Sequence, residues 1–187
     1  MWPVDAVVGE NGAFYFRYDH GARRMICRFA DDEAMREQYP AQLNLIAKDI
    51  LAAVPGCAVA ADQQYRETDL AIDFCEDVPP LPRDAVEKIA ALMRARGMTA
   101  KISSIHVNGW FGDYNKLEMT RTLMREAFNI DLDARRGDYV FIGDSPNDEP
   151  TFEFFVHAVG VANVADFGAL ITRFPAYTTR ALRRGLR

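Results

Sequence analysis

The run Tyr139-Val140-Phe141-Ile142, followed at once by Gly143-Asp144-Ser145-Pro146-Asn147-Asp148-Glu149, restricts the fold of this chain more than any other segment. Four consecutive apolar residues ahead of a Gly-Asp turn read as a strand buried on both faces of a parallel sheet. A helix over 147–155, a strand over 158–162 and a helix over 164–173 then complete a βαβα pattern. Upstream, a helix over 116–128 carries Leu117, Met124, Ala127 and Phe128 on one side. The C-terminal part is therefore expected to be doubly wound α/β, in which ligands lie beyond the carboxyl ends of the strands. The acidic turn sits at that end.

Residues 13–110 have a different character. Ala13–Tyr18 and Arg24–Phe29 read as strands joined by Asp19-His20-Gly21, a hairpin signal. One helix, or two interrupted at Pro40, is expected over 31–54, and Pro55-Gly56 stops it. Cys57–Ala61 could form a strand. Thr68, Leu70, Ile72 and Phe74 alternate with Asp69, Ala71 and Asp73, as in a strand with one covered face. A helix over 83–96 has Val86, Ile89, Ala90 and Met93 at helical spacing and Gly97 at its end, and a strand over 101–107 follows. This is an α+β unit. The opening Val4–Val8 reads as a strand of the parallel sheet, which makes 13–110 an insertion between a short core segment, 1–12, and the rest of the core, 111–187.

Composition limits the function classes. With 22 Lys+Arg against 27 Asp+Glu, the net charge of −5 argues against a nucleic-acid partner, which needs a basic surface. The basic cluster Arg180, Arg183, Arg184 and Arg187 reads as a solvated helix end. The nearly apolar run 154–162 falls far short of the ~20 residues that span a bilayer, and no signal peptide is visible, so no membrane partner is expected. Three scattered cysteines without a C-x-x-C pair argue against a disulfide framework or a zinc knuckle and suit a cytoplasmic protein.

Carboxylates converging at a strand end are suited to Mg²⁺, which takes hard oxygen ligands and usually one or two carboxylates. Ser145 as N-cap, Pro146 at the first helical position and Asp148 and Glu149 in the first turn would also make a good helix start. That role does not require Asp144. Lys116 stands in the first turn of a helix, where the dipole disfavours a cation; it either reaches into solvent or faces an anion.

Four segments occur in a telling order: V-V-G-E-N-G-A at 7–13, Tyr114-Asn115-Lys116 ahead of a helix, G-D-S-P-N-D-E-P-T-F at 143–152, and V-G-V-A-N-V at 159–164. Together they resemble the haloacid dehalogenase superfamily, subfamily IIB, the branch of sucrose phosphatases and Cof-type sugar phosphatases. The resemblance covers essentially the whole chain. It implies a Rossmann-like α/β core with an inserted α+β cap, and a Mg²⁺-dependent phosphomonoester hydrolase acting on a sugar phosphate or a similar small ester. By resemblance, Asp144 matches the metal-binding acid and Asp148 the second acid. Asn147 matches an amide that orients the metal and phosphate, and Lys116 the lysine that neutralises the nucleophile and phosphoryl group. Asn11 matches a polar residue at the cap entrance. Arg66, His106 and Asn108 are cap candidates for contacting substrate, with His106 and Asn108 expected to share a strand face with Ser104.

The family attacks phosphorus with an aspartate in a D-x-D-x-T motif. None occurs in the 187 residues. The resemblance places it ahead of N-G-A, so the N-terminal part of the core is expected to be missing, through a misplaced start or a true loss. As it stands the chain is expected to be inactive and to self-associate through its incomplete core. The alternative is a non-catalytic protein that binds a phosphorylated ligand or a partner chain.

Overall fold

The computed structural model describes residues 3–180; Arg183, Arg184 and Arg187 of the basic cluster lie outside the described residues. The chain divides into two compact units, 1–120 and 121–187.

In the first unit, β1 (Val7–Gly9), β2 (Phe14–Asp19) and β3 (Arg24–Phe29) form an antiparallel meander. The expected place of Val4–Val8 in the parallel sheet is corrected here. The chain reverses through residues 10–12, and β1 pairs antiparallel with β2, Val7 opposite Phe16 and Gly9 opposite Phe14. Two helices follow, α1 (Glu33–Arg36) and α2 (Tyr39–Ala53). The break falls ahead of Pro40, which sits in the first turn of α2 where no intrahelical N–H is needed. Asp32 caps α1 by accepting from the Met35 N–H at 2.8 Å.

A second antiparallel sheet has the order β4 (Ala58–Val59), β5 (Asp69–Asp73), β7 (His106–Trp110), β6 (Thr99–Ile102), with α3 (Arg83–Ala95) preceding β6. Gly97, at φ 79°, closes α3 with two hydrogen bonds, Gly97 N–H to Arg94 O at 3.0 Å and Met98 N–H to Met93 O at 3.2 Å. The single strand expected over 101–107 is two strands. Ser103 turns the chain, its hydroxyl accepting from the His106 N–H at 3.0 Å, so Ser104 lies in the turn while His106 and Asn108 share a face of β7. Leu70, Ile72 and Val107 of the sheet are fully or nearly fully buried in one core with Leu43, Ile46 and Ile50 of α2 and Val86, Ile89 and Met93 of α3. β5 is buried at all five positions rather than on one face.

In the second unit, β8 (Val140–Gly143), β9 (His157–Gly160) and β10 (Tyr177–Thr178) form a parallel sheet in the order β10-β9-β8, with α5 (Glu149–Phe154) between β8 and β9. α4 (Lys116–Phe128) begins in the first unit and ends in the second. Phe141 packs on Phe152 and Phe155 with ring centroids 5.6 and 5.9 Å apart. The expectation that β8 is buried on both faces fails: Val140 and Ile142 are 64% and 63% exposed. The helix expected over 164–173 is a series of tight turns over Ala162–Leu170, interrupted where Gly168 takes φ 43°. Among the described residues no helix is long and apolar enough to cross a membrane.

Asp73 is buried at the end of β5, and its carboxylate accepts the N–H groups of Cys75, Glu76 and Asp77 at 2.7–2.9 Å. Burial alone would raise its pKa; the three donors outweigh burial and hold it below the ordinary carboxylate value. A depressed folded pKa means stability that is complete above the unfolded value of about 4 and is lost as pH falls through the folded one. Asp73→Asn should cost about 1–3 kcal/mol near neutral pH, and the gap from wild type should narrow between pH 5 and 3 in urea melts. A gap independent of pH would contradict this assignment.

Candidate functional site

The acidic turn is built from the C-terminal end of β8. Gly143 is required there: a Cβ at this position would lie 2.7 Å from Asp148 Oδ2, so the bare backbone lets that carboxylate fold over the strand end. The Asp148 carboxylate, 4% exposed, accepts the Asp144 N–H at 3.2 Å, and the Asp148 N–H donates to Ser145 O at 3.0 Å. From the segment after β9, Val161 donates its N–H to Gly143 O, and the Asn163 amide donates to Asp144 O, both at 2.9 Å. Asp144 is half-buried and Ser145 buried, and the Ser145 hydroxyl has no hydrogen-bond partner among the described residues. Asn147 follows in the same turn.

The third acid of the motif does other work. Glu149 turns to the backbone, accepting the N–H groups of Thr172 and Arg173 at 2.7 Å and the Thr172 hydroxyl at 2.5 Å. The other two acids of the motif are Asp144 and Asp148. Among the described residues no group of three or more His, Cys, Asp or Glu side chains gathers around one point. Two carboxylates and a buried, unpartnered hydroxyl are nevertheless the donor chemistry of Mg²⁺, which keeps waters and substrate phosphate oxygens in its remaining positions.

In the first unit, Lys116 is the first residue of α4 and half-buried. Asn115 starts that helix, its Oδ1 accepting the Glu118 N–H at 3.0 Å. Asn11 lies in the turn after β1 and donates its amide to Asp69 Oδ2 at 2.9 Å. Arg66 precedes β5 and is held by two carboxylates, Asp62 at 2.9 and 3.0 Å and Asp69 at 3.0 and 3.2 Å. Burial alone would make Arg66 less basic, and these two acids more than offset it. Asp69 has no exposed surface; burial pushes its carboxyl up while Arg66 opposes that shift.

His106 and Asn108 are each 7% exposed and stand opposite Asp73 and Ala71 of β5. His106 Nε2 lies 2.9 Å from Glu76 Oε2. Asn108 Oδ1 has no hydrogen-bond partner among the described residues. The face of the sheet away from the apolar core thus carries Asp69, Asp73, His106 and Asn108, a buried polar row with Arg66 at one end.

Sequence reasoning missed the network that fixes this end: Glu10, Thr68 and Asp69 were not singled out. The available signal is a pair of acids, Asp69 and Asp73, at the two ends of a strand otherwise made of apolar residues. A groove of about 390 Å³ lined by Arg121, Arg125, Asn129, Asp131 and Asp133 contains none of the predicted site residues. Arg121 there is paired with Asp133 at 2.8 and 2.9 Å.

No protein-family model matches the chain, and no curated protein matches it. Solved structures do. The sucrose-phosphatase of Synechocystis, solved with sucrose and phosphate, superposes with a TM-score of 0.61 at 14% identity, over 97% of this chain and 70% of that one. A Thermoplasma acidophilum protein gives 0.58 at 18% identity over 93% and 65%, and the C-terminal domain of a Candida albicans trehalose synthase regulatory protein gives 0.54 at 16% over 94% and 70%. The chain thus spans about two thirds of the length of these structures. Its mixed α/β architecture is the haloacid dehalogenase-like fold of sucrose-phosphatase type.

Proposed function

We propose that the chain recognises a small phosphate monoester, a sugar phosphate or a close analogue, in the manner of Mg²⁺-dependent phosphatases, and that these 187 residues bind it without turnover. The observation that carries this reading is the glycine-supported turn at the end of β8, where Asp144 and the buried Asp148 stand four residues apart on a parallel strand end. A fold shared with a sucrose-phosphatase solved with sucrose and phosphate supports it.

In this reading Asp144 is the principal metal ligand. Asp148, which accepts the Asp144 N–H, fixes the turn and would supply the second carboxylate. Bound Mg²⁺ would neutralise charge on the phosphoryl oxygens. Lys116 supplies a further positive charge to that group, and Asn147 orients it. Arg66, His106 and Asn108 contact the remainder of the ester, and Asn11 stands at the entrance to the inserted unit. Arg66 is already bound by Asp62 and Asp69, so it would act by sharing donors rather than as an unengaged cation. Residues 13–110 would form the cap. Turnover is excluded from the proposal because the sequence contains no D-x-D-x-T nucleophile. The protein would be cytoplasmic, with no nucleic-acid or membrane partner.

Titration of the chain with orthophosphate, with and without Mg²⁺, tests this reading. Binding should require Mg²⁺, and Asp144→Ala or Lys116→Ala should each weaken it about tenfold to a hundredfold, the scale of one charged hydrogen bond. Binding indifferent to Mg²⁺ and to Asp144→Ala would remove the proposed site. Hydrolysis of an aryl phosphate that disappears in Asp144→Ala would keep the site and overturn the absence of turnover. Binding without turnover is also supported by the trehalose synthase regulatory protein whose C-terminal domain has a similar fold.

Self-association belongs to the same proposal. Val140 and Ile142 project apolar surface from β8 into solvent, which favours burial against another chain. Sedimentation velocity should show concentration-dependent association that Ile142→Lys reduces; a single monomeric species up to high concentration would remove it.

A further inference from the structure

Three consecutive residues between β1 and β2 occupy the left-handed backbone region: Glu10 at φ 42°, Asn11 at 57° and Gly12 at 103°. Residues with a side chain stay there only when their surroundings hold them. Glu10 is held by the segment leading into β5: its carboxylate accepts the Glu67 N–H at 2.8 Å, the Thr68 N–H at 2.7 Å and the Thr68 hydroxyl at 2.6 Å. Asn11 is held by the fully buried Asp69. These are contacts between residues 57 and 58 positions apart, so the turn is clamped to the sheet and not merely closed on itself.

The outer side of the turn meets the start of α4. Gly12 is buried, and a Cβ on it would lie 2.2 Å from Asn115 O and 2.7 Å from Lys116 N. Both are backbone atoms at the first peptide of the helix, so nothing flexible can move aside. The same Asn115 carbonyl receives the Met119 N–H at 3.1 Å, and the Asn115 side chain caps the helix. The turn therefore abuts the peptide that fixes where Lys116 begins.

We infer that Gly12 is a positioning residue for Lys116: the clamp of Glu10 and Asn11 on Thr68 and Asp69 holds a side-chain-free backbone against the Asn115–Lys116 peptide and thereby sets the pose of the lysine. The inference rests on the proposed role of Lys116 for its functional meaning, though not for its geometry. Gly12→Ala introduces a Cβ into the Asn115 carbonyl. Asn11→Ala leaves that contact unobstructed and releases the turn from Asp69.

The chain has only four lysines, Lys48, Lys88, Lys101 and Lys116, so the ε-methylene NMR signals of ¹³C-lysine-labelled protein report each one separately, with Lys116 assigned by its loss in Lys116→Ala. Both variants should displace the Lys116 signal and leave those of Lys48 and Lys88 in place. A merely structural contribution would lower the melting temperature while the Lys116 signal of the folded protein stayed at its wild-type position, and that result overturns the inference. If Gly12→Ala does not fold, Asn11→Ala decides on the same terms. Adding Mg²⁺ and orthophosphate to wild type separates the two claims: a Lys116 signal that ignores phosphate removes the anion-binding role, while displacement of that signal in the variants still establishes positioning.

Discussion

A carboxylate with no exposed surface organises one end of the first unit. Asp69 at the start of β5 could not remain buried alone, since removing one partner of a buried ion pair costs about 3–5 kcal/mol. Its partners are drawn from three places in the sequence: Arg66 just ahead of it, Asp62 through that arginine, and Asn11 in the turn after β1. Glu10 adds a parallel tie to Glu67 and Thr68. The left-handed turn 10–12, the start of β5 and the first peptide of α4 are consequently one connected structure.

The rest of the first unit follows from the two faces of the same sheet. Leu70, Ile72 and Val107 enter an apolar core with α2 and α3, whereas Asp73, His106 and Asn108 occupy a buried polar face. Burying polar groups without matching each one is costly. Asp73 is fully matched by three backbone donors, whereas Asn108 Oδ1 has no partner among the described residues. That contrast makes Asn108 the better candidate of the two to contact a polar ligand. In the second unit a glycine is the enabling residue, because Gly143 leaves the space that the Asp148 carboxylate fills.

The segments readable from the sequence were those whose local chemistry agrees with their surroundings. α3 combines a helical apolar stripe with Gly97 beyond its end, and α4 begins at Lys116 as its capping asparagine dictates. The ordered motifs at 7–13, 114–116, 143–152 and 159–164 carried the fold. Elsewhere tertiary context prevailed. Val7–Gly9 has the apolar character of a core strand, yet its neighbour is the strand that the tight turn brings back onto it. The apolar run 140–142 has the composition of a fully buried strand, and composition does not say what covers each face. Gly168 ends what looked like a helix because its left-handed conformation is invisible in a pattern of apolar spacing. Asp69 has the place of a solvent-facing member of an alternating strand; Arg66 is only three residues away, but its other partner, Asn11, is 58 positions distant and meets it only once the chain has folded.

The central claim is that the strand-end turn of the second unit is a divalent-cation and phosphate site. Substoichiometric Mn²⁺, a paramagnetic substitute for Mg²⁺, tests it directly by NMR. The account predicts that the backbone amide signals of Gly143, Asp144, Ser145 and Asp148 are the first to broaden, and that excess Mg²⁺ restores them. Broadening centred instead on the exposed acids Asp131 and Asp133, or on Asp32 and Glu33, with residues 143–148 unaffected, would contradict it.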